Sequence, residues 1–181
     1  MVTLAKRPKL FSEESFTSYL MRISNMNHTS SMEVCKLISN QNKVRYMWKY
    51  DLDLTNLIDQ EKVQQLFGKT ANELGTFSII KDKLLEKYDM GLNYFVGNLL
   101  EKNGKYCPIC IQESLHYKIL WQVKDIKICD VHEISLLNIC GICLMKLPYT
   151  HELLGLGICP NCNNSLTNKC KHIDFFEIRN R

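Results

Sequence analysis

Four short cysteine-rich pairs, all with the same two-residue gap, occur in order along one stretch of this chain: Cys107-Pro108-Ile109-Cys110, Cys129-Asp130-Val131-His132, Cys140-Gly141-Ile142-Cys143 and Cys159-Pro160-Asn161-Cys162. A tetrahedral metal site needs two ligands from a tight knuckle and two more from elsewhere in the chain. Taken two by two, these pairs supply two full sets, separated by intervening loops 111–128 and 144–158. Such spacing is that of zinc ribbons and zinc fingers. We therefore expect two zinc ions, the first on Cys107, Cys110, Cys129 and His132, the second on Cys140, Cys143, Cys159 and Cys162.

Each quartet fills a tetrahedral shell and leaves no position for water or substrate, which is the pattern of structural rather than catalytic zinc. A disulfide framework is the main competing use of nine cysteines. It is disfavoured because the count is odd and cysteines three positions apart are poorly placed to bridge each other. The segment Met1–Leu10 carries Lys6, Arg7 and Lys9 but no apolar run of the secretory kind, so a reducing, cytoplasmic compartment is expected. A redox role for any one Cys-x-x-Cys does not explain why a histidine completes the first set. The remaining cysteines, Cys35 and Cys170, are expected to be free, and His28, His116, His151 and His172 to be surface or core residues.

Charge narrows the function classes. The formal charge is +4, and two zinc ions with seven thiolates bring it close to +1. Lys and Arg are spread evenly, without a polybasic block, so autonomous binding to a DNA backbone is not what the charge pattern favours. No stretch is long and apolar enough for a membrane span.

Before residue 104 the apolar residues recur at helical spacing. The fold class predicted is a mainly α N-terminal domain with helix-turn-helix character, 1–103, followed by a small α+β tandem zinc-ribbon or zinc-finger module. Its first finger is placed at 104–135, and the second, with the C-terminal tail, at 136–181. A helix from Glu13 to Asn25, capped by Ser12, would present Phe16, Tyr19, Leu20, Ile23 and Met26 as a stripe. A second helix, capped by Ser31, would use Met32, Val34, Leu37 and Ile38. Leu57–Phe67 reads as a helix ended by Gly68, and Thr70-Ala71-Asn72-Glu73 as a capping box opening the next, which together give a helix-turn-helix outline. Helices over 79–88 and 92–100 and a linker at Lys102–Lys105 complete the reading. A short helix or strand pair is expected over Gln112–Trp121, with Trp121 in the core.

The opening Pro8-Lys9-Leu10-Phe11-Ser12-Glu13-Glu14-Ser15-Phe16-Thr17-Ser18-Tyr19-Leu20-Met21-Arg22, closed by Asn25 or Asn27, resembles the start of the TniQ/TnsD transposition proteins. These carry an acidic-Ser-hydrophobic-x-Ser-aromatic helix ending in Arg. The run Tyr106-Cys107-Pro108-x-Cys110, Trp121-Gln122, Cys129-x-x-His132, Leu136-Leu137 and Cys140-x-x-Cys143 is similar to theirs as well. Two positions depart from the pattern: Tyr19 stands where Trp is common, and Glu133 where Gly is frequent.

The resemblance implies a target-selection adaptor for a transposon, with no enzymatic activity of its own. Its implied partners are the AAA+ ATPase TnsC and, because the chain stops 19 residues after Cys162, the CRISPR effector and guide RNA of the short TniQ form. DNA would be met within the assembly. The alternative is a sequence-specific, zinc-containing DNA-binding transcription regulator. For contact with nucleic acid or an acidic partner the sequence offers Lys43, Arg45, Tyr46, Trp48 and Lys49, where aromatic and basic residues interleave.

Overall fold

Ser15, not Ser12, opens the first helix. Its Oγ accepts a hydrogen bond from the Ser18 N–H at 3.0 Å, and α1 runs Phe16–Met26. The start lies later than predicted because Glu13 adopts a left-handed backbone, φ 60°, and Glu14 pairs with Lys118 in an antiparallel bridge. A tertiary contact thus takes the residues that local propensity assigned to the first turn. The computed structural model describes residues 4–39, 58–68, 86 and 100–167.

Asn27 closes α1. Its own N–H bonds the Ile23 carbonyl at 3.1 Å, while its side chain exchanges two hydrogen bonds with the Lys6 backbone at 2.9 and 2.7 Å and so ties down the N-terminal segment. The next helix, α2 (Ser31–Ile38), is capped by Ser30 rather than Ser31. Ser30 Oγ accepts from the Glu33 N–H and the Glu33 carboxylate accepts from the Ser30 N–H, a reciprocal capping box that satisfies two amides the helix itself cannot. A third helix, α3 (Gln60–Phe67), begins at Asp59 and ends at Gly68, whose φ of 66° is the left-handed turn expected of that glycine.

One face of each helix meets in a common core of Phe16, Tyr19, Leu20, Ile23, Val34, Ile38, Val63 and Phe67. Phe67 receives the edges of Phe16 and Tyr19 at ring distances of 6.4 and 6.2 Å. Not every apolar residue of the predicted stripes is inside. Met26 is 41% exposed, and Met32 and Leu37 also face solvent, because α2 is short and buries only the Val34/Cys35/Ile38 side. Cys35 is free and buried, and burial pushes its thiol up to about 12.

The second half of the helix-turn-helix outline, at 70–73, lies outside the described residues, as do Cys170, His172 and the expected helices over 79–88 and 92–100, apart from residue 86, which is helical, and Leu100, which pairs with Val123 in an antiparallel bridge instead. The contact patch of Lys43, Arg45, Tyr46, Trp48 and Lys49 lies outside them too. Ser39 and Ile58, the described residues on either side of that segment in the sequence, pair as an antiparallel bridge.

Over the described residues 100–167 the backbone is held by isolated antiparallel bridges rather than extended strands. One further helix, α4 (Pro108–Glu113), grows directly out of the first knuckle, with 3₁₀ turns at Ile119–Gln122 and Glu152–Leu156. The helix expected somewhere after Cys110 therefore starts earlier, since Cys107 serves as its N-cap and Pro108 occupies the first helical position, where a missing N–H costs nothing. Trp121 is 2% exposed in a second core with Tyr106, Ile111, Leu137, Leu147, Leu154 and Leu166. Met21 belongs to this second core, so α1 serves both.

The joint between them is hydrogen-bonded. Ser15 N–H donates to the Tyr117 carbonyl at 2.8 Å, Ile119 N–H to the Glu13 carbonyl at 2.9 Å, and Tyr117 N–H to Ser18 Oγ at 2.9 Å. Lys118 reaches Asp130 at 2.8 Å and Glu13 at 3.1 Å. Burial works against the Lys118 charge, but its hydrogen bonds to the Asp130 and Glu13 carboxylates outweigh it and hold the ammonium above the ordinary lysine value. No helix among the described residues is long and apolar enough to cross a membrane.

Candidate metal centres

All eight predicted ligands come together in the two expected sets. Cys107, Cys110, Cys129 and His132 place their donor atoms within 4.8 Å of one another, and so do Cys140, Cys143, Cys159 and Cys162. Across the first set, Cys110 Sγ lies 3.6 Å from Cys129 Sγ and 3.2 Å from His132 Nδ1. Across the second, Cys140 Sγ to Cys162 Sγ and Cys143 Sγ to Cys159 Sγ are both 3.7 Å. A zinc–sulfur bond of about 2.3 Å gives a tetrahedral edge of about 3.8 Å, close to these separations. They are far longer than a disulfide of about 2.05 Å, and the eight cysteines among the described residues are all unbridged. Each set could hold one metal ion.

Three of the four knuckles share one local fold. The residue before the first ligand pairs with the residue three beyond the second: Ile128 with Ser135, Ile139 with Lys146, Ile158 with Ser165. Within each, the first ligand's carbonyl accepts the N–H of the residue just after the second ligand, at 2.9 to 3.0 Å. Closing that tight turn requires a left-handed residue after the second ligand, and Glu133, Leu144 and Asn163 have φ of 55°, 59° and 55°. Glycine takes such a φ without strain, which fits the glycine that the resemblance leads one to expect at the position of Glu133. It also yields an expected result: Leu144→Gly, at a site 53% exposed, relieves a strain of about 1 kcal/mol and raises the chemical-denaturation midpoint of the metal-loaded protein.

The first knuckle is different because it is also a helix cap. Cys107 Sγ accepts the Cys110 N–H at 3.5 Å. That geometry puts Glu113, three residues after Cys110 on α4, beside the last ligand of the set: Glu113 Oε2 is 3.2 Å from His132 Nε2. With Nδ1 turned toward the thiolates, Nε2 carries the proton and donates to the carboxylate, an arrangement that orients an imidazole ligand and strengthens its donation. Sequence reasoning missed Glu113, although its helical i, i+3 spacing from Cys110 was available as a signal. Glu113→Gln is expected to lower metal affinity at the first set by about tenfold, the low end for such partners because the carboxylate is largely exposed. Competition with a chromogenic chelator reads this directly.

As free thiols the ligands are unevenly disposed. Burial raises Cys107 and Cys110 and lifts Cys140 to about 12, while Asn164 hydrogen bonding lowers Cys162 to about 6. Metal binding expels the protons of the raised thiols, so affinity falls as pH falls.

The acidic-Ser-aromatic-x-Ser-aromatic helix has a structural explanation of its own. Glu14 is 0% exposed, and its carboxylate accepts from Ser18 Oγ at 2.8 Å, from the Phe11 N–H at 3.1 Å, and from the Arg22 guanidinium. Arg22 also donates to the Lys9 carbonyl at 3.1 Å and lies 4.3 Å over the Phe11 ring, which stacks on His116. Burial holds the His116 imidazole below its ordinary value. Ser18 and Arg22, four residues apart, share one edge of α1, and Glu14 lies just before the cap Ser15, where its carboxylate meets both. The TniQ family profile matches residues 5–136, from this N-terminal segment through the first metal set.

The chain belongs to the TniQ family. Membership makes it a transposition-associated protein. In the structure Glu14, Ser15 and Ser18 seat the start of α1 against Tyr117 and Lys118, and Arg22 pairs with Glu14. The second set, Cys140 to Cys162, lies beyond the TniQ match. No curated protein matches the chain.

Proposed function

We propose that this TniQ protein is a non-catalytic target-selection adaptor that links a target-recognition complex, a CRISPR effector with its guide RNA, to the AAA+ regulator TnsC on DNA. Family membership across residues 5–136 carries the reading. Two filled ligand shells support it, because a metal with four protein ligands offers no site for chemistry. In this reading both metals are zinc and both are structural. The soft thiolate sets, one completed by imidazole, suit zinc.

Zinc would supply rigidity here by joining knuckles whose own bridges, Ile128 with Ser135, Ile139 with Lys146 and Ile158 with Ser165, each close within a single knuckle. The chain's own residues do the rest. Lys118 and its neighbours fix the first knuckle pair to the start of α1, while the N-terminal half that carries α1, α2 and α3 offers its surface to partners. Lys43, Arg45, Tyr46, Trp48 and Lys49 are the proposed contact residues.

Co-assembly tests the proposal. Zinc-loaded protein is incubated with DNA alone, then with the AAA+ ATPase, ATP and the same DNA. Retention that depends on the ATPase supports an adaptor. Tight, salt-dependent binding to one duplex without any partner would overturn it in favour of a sequence-specific regulator. Reversing the charges of Lys43 and Arg45 together is expected to weaken assembly while leaving the circular-dichroism spectrum unchanged.

A further inference from the structure

The two metal sets differ in which ligands face water. In the first, Cys107, Cys110 and Cys129 are buried, and the partly exposed ligand is the imidazole of His132. In the second, Cys140 and Cys159 are buried, while Cys143 and Cys162, one from each knuckle, are partly exposed. Oxidation of sulfur follows thiolate character and access to solvent. An exposed imidazole shields the first set from that chemistry, whereas the second presents two sulfurs to it.

We infer that Cys143 and Cys162 are sites of oxidative modification, and that a peroxide converts the second set from a metal centre to a disulfide while the first keeps its ion. The inference rests on the zinc reading above. A solvent-facing thiolate attacks one peroxide oxygen; the O–O bond breaks, a sulfenic acid forms and hydroxide leaves. A thiolate across the site then attacks the sulfenic sulfur, forming the S–S bond and expelling a second hydroxide. Two protons from solvent turn both hydroxides into water. The thiolate pair has lost two electrons, the peroxide has gained them, and the zinc ion departs with half its ligands gone. Partners for the second step are in place, since Cys162 faces Cys140 and Cys143 faces Cys159, each at 3.7 Å.

The change would be felt in α1. Between Cys143 and Cys159 lies the 3₁₀ turn Glu152–Leu156, whose Glu152 carbonyl accepts from Asn25 Nδ2 at 3.2 Å and whose Leu154 carbonyl accepts from the Tyr117 hydroxyl at 2.9 Å. Gly155 sits so close to α1 that a Cβ there would come within 2.9 Å of the Met21 Cβ. Loss of the second metal loosens this strap, while Tyr117, Lys118 and Ile119 continue to hold α1 through the first knuckle pair.

The test uses the full chain, first shown by elemental analysis to carry two zinc ions; fewer than two would refute the zinc reading itself. Hydrogen peroxide is then added with a chromogenic zinc chelator present. The expected result is release of one zinc per chain, a disulfide mapped by mass spectrometry among Cys140, Cys143, Cys159 and Cys162, and recovery on adding thiol reductant and zinc. Release of both ions together, release from the first set, or none with excess peroxide would overturn the inference. The variant His132→Cys keeps four ligands at the first set but makes its solvent-facing one a thiolate. It is expected to release both ions under the same treatment, and continued resistance of its first set would count against the exposure argument.

Discussion

Stripping the metals is expected to unfold residues 104–167 and to release α1 from them. The second core is small, and five of its buried members are the ligands Cys107, Cys110, Cys129, Cys140 and Cys159 themselves. Among the described residues the backbone around them is paired only through isolated bridges, so little cooperative structure remains once no ion ties the sulfurs together. Structural zinc sites contribute about 10–16 kcal/mol of apparent binding free energy that folding draws on, as large as the whole stability of about 5–15 kcal/mol typical of a domain. Chelator titration followed by near-ultraviolet circular dichroism should show loss of the Trp121 environment, and acidification should produce the same loss because protons compete for the raised thiols. Cys129→Ser and Cys140→Ser should each cost one zinc and destabilise the corresponding knuckle pair. A metal-free protein that keeps its full tertiary signal would contradict this account.

Arg22→Ala is expected to cost about 3–5 kcal/mol, far more than an exposed charge deletion, because it leaves a buried carboxylate without its counter-charge. Glu14 lies inside with three donors, and Arg22 is the charged one. The substitution also removes the guanidinium from the Phe11 ring and the Lys9 carbonyl. A neutral replacement of the pair separates charge from packing. Glu14→Gln/Arg22→Met keeps an acceptor for Ser18 and Phe11 and restores apolar volume, so the double variant should be more stable than Arg22→Ala alone. Urea unfolding of the zinc-saturated proteins measures both, and equal losses for the two variants would show that packing, not the buried charge, decides the cost. Because this ion pair anchors the turn on which α1 meets residues 117–119, Arg22→Ala should also loosen α1 from the metal-bearing half.

Leu144→Gly and Glu113→Gln probe smaller effects at the same centres, one in the strain of a knuckle turn and the other in the partner of a ligand. Both were invisible in the ligand spacing. A knuckle motif states which residues bind, whereas the left-handed turn after it and the carboxylate behind its histidine depend on how the knuckle is closed.

The sequence by itself determined the ligands and their grouping, since tetrahedral coordination by pairs with fixed gaps leaves few other ways to use eight residues in that order. It also determined that helices precede them, through apolar periodicity, and the stop at Gly68, through the left-handed φ that glycine adopts without strain. Only the tertiary structure decided where those helices begin. Ser12 and Ser31 are as good caps as Ser15 and Ser30 by composition; the choice falls to the neighbours because Glu13 and Glu14 are claimed by residues 117–119, and because Glu33 stands three places after Ser30 to complete the box. The role of Glu14 followed the same course. Read locally it favours the positive end of a helix dipole, an effect of tenths of a kcal/mol to about one, but once the metal-bearing half closes over α1 that carboxylate is buried and must be paired. Local signals are set by residues a few positions apart, while burial and pairing are set by segments a hundred residues away that arrive only on folding.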